Sequence, residues 1–455
     1  MKTLKWLAMP LLALALTSTF SACSDSKGDE EDGGDDGGLP AGALTPEENK
    51  ARLSQIGKDF INAIPASDFN ELDQLATHIK NTYCDEDYKV EDVEDWADRC
   101  FKSLIASTWT GNATDYATYK YTRRIYELSQ FRGHLTYNGS KWVVEEANDL
   151  QATCTDQNGQ QVIARLTTSG AVKKVYIGEI EMDEDYRGVD GGISKYFYEM
   201  DEAYAVIPEN ITITLTRGNQ ALVTVTVTTD LRSVSGENFD LSKDGAVVAV
   251  RAQLAGYDIN CQRIAAKANT AGGLYAKFTV SKGGRSLLNF ETQGNANYSG
   301  SNLVWSEDTD MDAFEENVQK FGGKVTGVSC DIMGRLQVKG YCTDARALAD
   351  AFENAEDNKR NAEAVRNYAK TANDCFAAAF YYDGTDVPQG AMEFEAVANS
   401  KGEKYYIEPV IVFADGSRYN MTNDSYFSEE NFKSLVDLFD SLANGYEDMV
   451  EKYDE

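Results

Sequence analysis

Histidine chemistry has few places to sit in this chain, which holds only His78 and His134. A catalytic triad could form around either one, but no Gly-x-Ser-x-Gly turn presents a serine. Zinc or haem held by several histidines is nearly excluded, and an ordinary surface or core histidine is the simpler reading of each. Carboxylates have the opposite problem, since 74 Asp and Glu residues single out no pair. A glycosidase needs two acids at a defined separation, which the sequence does not display. Asp308-Thr309-Asp310-Met311-Asp312 opens like a calcium loop. Ala313 then stands where such a loop needs glycine, and Gln319 where it needs a bidentate glutamate. Asp183-Glu184-Asp185-Tyr186-Arg187-Gly188 keeps the glycine but places arginine at a ligand position. Both runs read first as solvated acids. Lys282-Gly283-Gly284-Arg285 lacks the phosphate-loop spacing and reads as a hairpin turn. The sequence therefore names no catalytic residue, cofactor or metal site.

Cysteines and aromatics leave more open. Seven cysteines follow Cys23, at 84, 100, 154, 261, 330, 342 and 375. The count is odd and no Cys-x-x-Cys pair occurs, so zinc ribbons and thioredoxin-type sites have no support. Cys84 with Cys100, or Cys330 with Cys342, could form disulfides in an oxidising compartment. Buried thiols acting as small hydrophobes are an equal alternative. Tyrosines and phenylalanines cluster at Tyr116, Tyr119, Tyr121 and Tyr126, then at Tyr196, Phe197, Tyr198 and Tyr204, then at Tyr381, Tyr382, Tyr405 and Tyr406. On an outward-facing sheet their rings could stack on sugars or a protein partner. Strand propensity and core packing would produce the same enrichment.

The elements that must position these groups follow from periodicity. Thr45-Pro46-Glu47-Glu48 is a capping box, and Leu53, Ile56, Phe60 and Ile64 then repeat at helical spacing until Pro65. Ser67 opens a second helix with Phe69, Leu72, Leu75 and Ile79 on one face. A third, from about 90 to 107, carries Val93, Trp96, Ala97, Cys100 and Leu104. From Gly133 the period becomes two. His134–Val144 is a hairpin around Asn138-Gly139, with Leu135 and Tyr137 facing the side of Trp142 and Val144. A second Asn-Gly turn, at 158–159, lies between Leu150 and Leu166, and 171–182 reads as a further strand. Ile211, Ile213 and Leu215 alternate with threonines, as do Val223, Val225 and Val227. Placing both sets on one face makes Ile213 oppose Val225 through an odd-numbered loop centred on Asn219. Leu215–Val223 is partly repeated at Val280–Leu288, either as two similar hairpins or as convergence of turn chemistry. Helices return near 309–320, 343–374 and 428–450, with strands near 324–341, 376–382, 391–399, 404–413 and 417–421. The expected class is α+β: N-terminal helices, an extended antiparallel β-meander, and further helices packed on the sheet.

The formal charge is −31, and the apolar content of 42% is ample for a packed core. Such a polyanion is repelled by nucleic-acid phosphates, so no nucleic-acid partner is expected. The amino terminus carries a distinct signal. Lys2 and Lys5 precede a short apolar run from Leu4 to Leu16, too short to span a membrane at about 20 residues. It reads as a cleaved export signal. Phe20-Ser21-Ala22-Cys23 follows, and resembles the lipobox of bacterial lipoproteins, with Phe20 where leucine is usual. The resemblance implies cleavage before Cys23 and its lipidation, with the membrane as the partner through that lipid; three chains would anchor it permanently. Ser24–Gly38 is acidic and glycine-rich with no apolar residue, the composition of a charge-extended tether. An acidic run directly after the lipid cysteine looks like the surface-export signal of Bacteroidota lipoproteins. That resemblance implies an outer-membrane protein facing outward; a spacer on the periplasmic side is the alternative.

The chain is thus expected to divide into a signal (1–22), a tether (23–44), a helical region (45–131), a sheet region (132–300) and an α+β region (301–455). The functional expectation is a non-enzymatic surface lipoprotein that binds an extracellular glycan or protein. A carboxylate-based hydrolase of glycan or peptide is one alternative, and an adhesion or assembly subunit another.

Overall fold

Helix α1 (Pro46–Ala63) starts where Thr45 caps it: the Glu48 amide donates to Thr45 Oγ1 at 3.3 Å, and the Thr45 amide to Glu48 Oε2 at 2.9 Å. Leu53, Ile56 and Phe60 turn inward. A computed structural model of the chain describes residues 41–84, 87–106, 123–180, 189–190, 193–194, 200–234, 236–240, 244–266, 273–297, 304–305, 322–421, 426, 432–438, 441 and 444. After Pro65 comes a 3-10 turn (Ala66–Phe69), so α2 (Asn70–Ile79) begins three residues beyond Ser67, without a side-chain cap. A π turn (Lys80–Cys84) leads to α3 (Asp87–Ala106).

The strands then run β1 (Arg123–Glu127), β2 (Gly133–Tyr137), β3 (Trp142–Glu145), β4 (Leu150–Thr155) and β5 (Gln161–Ile180). A ribbon of β6 (Val189–Asp190) and β7 (Ile193–Ser194) precedes β8 (Met200–Arg217), β9 (Gln220–Asp230) and β10 (Phe239–Asp240). Next are β11 (Ala246–Leu254), β12 (Tyr257–Ala266), β13 (Leu274–Lys282), β14 (Arg285–Asn297), β15 (Val304–Trp305), β16 (Gly322–Ile332) and β17 (Leu336–Cys342). Helices α4 (Ala345–Asp357) and α5 (Ala362–Cys375) intervene before β18 (Phe376–Tyr382), β19 (Gly390–Ala398), β20 (Tyr405–Phe413) and β21 (Arg418–Asn420). Among the described residues, seventeen strands form one sheet, mostly antiparallel; β1 with β8 and β2 with β4 are its parallel pairs. With the helices ahead of and between the strands, the class is α+β.

Several local expectations change. The stretch at 171–182 is the second half of one long strand, β5, and β1 lies within the stretch read as helical. The helix expected over 343–374 is two, because the Asn361 side chain accepts from the Ala364 amide and starts α5 afresh. The helix expected at 309–320 falls outside the described residues, and 432–438 is helical within the expected 428–450. Leu150 does pair Leu166, and Tyr137 pairs Trp142.

Ile213 opposes Val225, as the apolar pattern requires, but not through an odd loop. The turn is two residues, Gly218-Asn219, with Arg217 opposite Gln220. Parity is restored by a bulge: Leu215 pairs Val223 and Thr216 pairs Ala221, leaving Leu222 extra. A bulge adds one residue to one strand and so shifts the face by one. Leu222 packs with Leu75 of α2 and Val162 of β5. The partly repeated sequence does the same: Gly283-Gly284 forms the turn, Ser281 pairs Ser286, Val280 pairs Leu288, and Leu287 is the extra, buried residue. The repeat is therefore one structural device used twice.

These hairpin tips share one end of the sheet, and the N-terminal helices run along it. The Leu44 amide donates to Gln389 Oε1 at 2.9 Å, and Arg52 pairs Asp383. Asp59 pairs Arg335. Asp68 accepts from Tyr257 Oη at 2.5 Å and pairs Lys282. Glu71 pairs Arg217, Tyr83 Oη donates to the Thr155 carbonyl at 2.8 Å, and Trp96 Nε1 to the Arg132 carbonyl at 3.0 Å. As the helical segment advances, its partners retreat along the chain from 389 to 132, so it crosses the tips in reverse strand order. The main core lies on one face of the sheet, where Ile56 of α1, Ala351 of α4 and Ala369 and Ala372 of α5 cover Leu288, Val338, Phe380 and Ile411. The same face lines up Phe290, Cys330, Val338 and Phe380 as cross-strand neighbours. The opposite face of these strands carries the candidate site.

Candidate functional site

Alternation along a strand sends successive side chains to opposite faces. Where Phe290, Cys330, Val338 and Phe380 point into the core, Glu291, Ser329, Lys339 and Ala379 point away, and they too are cross-strand neighbours. In adjacent rows Gln293 faces Gly327, Tyr341 faces Ala377, and Tyr381 faces Gln337. Glycine at 327 and alanine at 379 leave space where larger side chains would fill the sheet surface. The result is an open trough of about 380 Å³, lined by Glu291, Gln293, Ser329, Lys339, Tyr341 and Tyr381 around that small-residue floor. Such a volume falls at the lower end of ligand sites, which span about 300–1,000 Å³.

Charge within the trough is organised. Lys277 Nζ lies 3.2 Å from Glu291 Oε2, and Tyr275 Oη donates to Glu291 Oε1 at 3.4 Å. Lys339 Nζ sits 4.9 Å from the centre of the Tyr381 ring, a cation–π contact. Tyr341, two residues on from Lys339 on the same strand face, is 38% exposed. Among the described residues Glu291 is the one carboxylate lining the trough, and it is ion-paired.

A second cavity, about 640 Å³, lies between the hairpin tips and the 3-10 turn. Its acids are all engaged: Asp68 with Lys282, Glu71 with Arg217 and Asp258 with Arg251. It is the seam between the helical strap and the sheet.

The residues singled out by sequence are scattered. His78 Nε2 donates to the Thr155 carbonyl at 3.2 Å, and Nδ1 lies 3.3 Å from Thr82 Oγ1. His134 pairs Asp149 at 2.7 Å, which holds the Asp149 carboxyl below its ordinary range. All seven cysteines after Cys23 are free thiols. Cys330 opposes Val338 while Cys342 opposes Val325, four residues along the strand and about 13 Å away, beyond disulfide reach. Cys84 and Cys100 are likewise unlinked. Burial pushes the Cys154 thiol up to about 11 and Cys330 up to about 12, so both stay protonated and inert. Both calcium-like runs, Cys23, and the aromatics Tyr116, Tyr119, Tyr121, Tyr196, Phe197 and Tyr198 fall outside the described residues. Among the described residues no group of three or more His, Cys, Asp or Glu is placed to hold a metal, and no helix is long and apolar enough to cross a membrane.

Among the described residues of the aromatic clusters, only Tyr381 reaches the trough. Tyr382, its neighbour, points into the core and donates to the Asn49 carbonyl at 3.3 Å. Tyr204 is buried against Tyr176, with ring centres 5.6 Å apart. Tyr405 and Tyr406 lie half-buried on β20, and Tyr126 on β1. Sequence reading missed Tyr275 and Tyr341. Tyr341 had a signal: it shares parity with Gln337 and Lys339, opposite to buried Leu336 and Val338, so it is a large ring on the polar side of its strand. No protein family matches the chain, and no curated protein and no solved structure is similar to it.

Proposed function

We propose that this protein is a bacterial outer-membrane surface lipoprotein, held by a lipid on Cys23, that binds an extracellular ligand without transforming it. The observation that carries the binding role is the trough on the side of β14, β16, β17 and β18 opposite the core, where tyrosines and hydrogen-bonding side chains gather over glycine and alanine. Proteins that need that face only for packing would cover it or fill it with larger side chains. The anchor and outward placement rest on the resemblance of Phe20–Cys23 to a lipobox and on the acidic run behind it.

The test is occlusion. Ala379 has its Cβ on the trough floor, and Ala379→Trp would fill the space while leaving the core face untouched. The full chain is screened against immobilised polysaccharides and extracellular proteins. Binding to at least one, lost in Ala379→Trp with an unchanged melting curve, supports the reading. Failure to bind either panel, or binding that Ala379→Trp leaves intact, overturns it.

A further inference from the structure

Resting on that reading, we infer that the trough takes an uncharged saccharide. The ligand class follows from what the walls offer and what they withhold. β14, β16 and β17 are hydrogen-bonded to strands on both sides, so no unpaired backbone edge is present to add a peptide strand. Apolar anchoring is sparse among the described residues: beyond the tyrosines, Val328 is the one lining residue larger than alanine that is hydrophobic, and its register with Thr292 and Gly340 turns it toward the core face. The described lining offers no apolar pocket for a peptide side chain or an acyl chain. What remains is two ring faces, Tyr341 and Tyr381, with an amide (Gln293), a hydroxyl (Ser329), a carboxylate (Glu291) and an ammonium (Lys339) between them.

That inventory complements a pyranose. Its C–H faces lie against aromatic rings, and its hydroxyl perimeter both donates and accepts. Charged groups make the stronger hydrogen bonds to neutral partners, about 1.5–3 kcal/mol. Glu291 is already fixed by Lys277 and Tyr275, so it is oriented before a ligand arrives. Tyr341 and Tyr381 stand four residues apart in register, about 13 Å along the strand direction, so the platform suits a chain of sugars rather than a single ring. Net charge sets the remaining preference. Lys277 and Glu291 neutralise each other and Lys339 leaves a single positive charge, small beside the −31 of the chain, which repels acidic polymers.

Affinity electrophoresis of the full chain in gels containing dextran, mannan, xylan, galactan or polygalacturonate tests this, with calorimetry on any polymer that retards it. Retardation is expected with at least one neutral polymer and not with polygalacturonate. Tyr341→Ala and Tyr381→Ala should each weaken binding about five- to tenfold, while Tyr341→Phe, which keeps the ring, should stay within about twofold. No retardation by any neutral polymer, or retardation indifferent to both alanine variants, overturns the saccharide assignment. If a protein ligand instead binds and Ala379→Trp blocks it, the class is wrong and the site stands. If Ala379→Trp blocks nothing that binds, both fall.

Discussion

Asp68 shows how single side chains tie the helical strap to the sheet. It accepts from Tyr257 Oη and pairs Lys282, residues of two different hairpins. Burial raises its carboxyl, but the Lys282 and Tyr257 bonds outweigh that and hold it below the ordinary range. Asp59, bonded first of all to Arg335, is lowered too. A depressed carboxylate stabilises the fold above its unfolded value, near pH 4, and that contribution is lost as pH falls through the folded value. Urea midpoints measured from pH 7 down to 2.5 should therefore fall on the acid side. Asp59→Asn and Asp68→Asn should be less stable than the parent at pH 7, with the gap closing at the acid end; a constant gap would contradict the linkage. Gly294 is a steric case. A Cβ there would come within 2.4 Å of the Lys324 carbonyl oxygen, so Gly294→Ala must shift backbone and should cost about 1–3 kcal/mol in denaturant unfolding. At this scale the site was half legible. Tyr381 stood in a conspicuous cluster, but its neighbour Tyr382 belongs to the core, and only strand parity separates them. Glu291 and Lys277 come together through pairing of β13 with β14, a contact that no local spacing announces.

At the scale of elements, hydrophobic alternation read well because burial enforces it. Ile213 opposes Val225 since any slip would turn Ile211, Ile213 and Leu215 outward. The way the chain meets that demand was not readable. A two-residue turn plus a bulged leucine gives the same parity as an odd loop, and only the tertiary partner of the leucine decides between them. Leu222 lies against Leu75 and Val162, and Leu287 is almost completely buried. Leu287→Ala should cost about 2–5 kcal/mol by urea unfolding. A loss under 1 kcal/mol would mean that the bulge leucine is not what holds the hairpin to its neighbours. The break between α4 and α5 was missed for a related reason. Asn358-Lys359-Arg360-Asn361 carries no proline or glycine to mark a stop, while the Asn361 cap, a short-range polar device, restarts the helix.

Across the whole molecule, one sheet joins regions that the sequence divides only by composition, and the helical strap crosses it from the tip near Gln389 to Arg132. The core covers one face at β14 to β20, and the trough opens on the other. The strap begins at Leu44, held by Gln389, about twenty residues after the proposed lipid on Cys23. Cys23→Ser should abolish incorporation of labelled palmitate, and protease added to intact cells should cleave the parent chain. Label retained by the variant, or a chain that protease cuts only after lysis, would remove the anchor or the outward placement respectively. The central claim is that ligand meets the open face. Hydroxyl-radical footprinting of the full chain with and without a bound neutral polysaccharide reads that directly. Protection at Tyr341 and Tyr381, with Tyr88 on α3 unchanged, is the predicted result; protection confined to other tyrosines would contradict it.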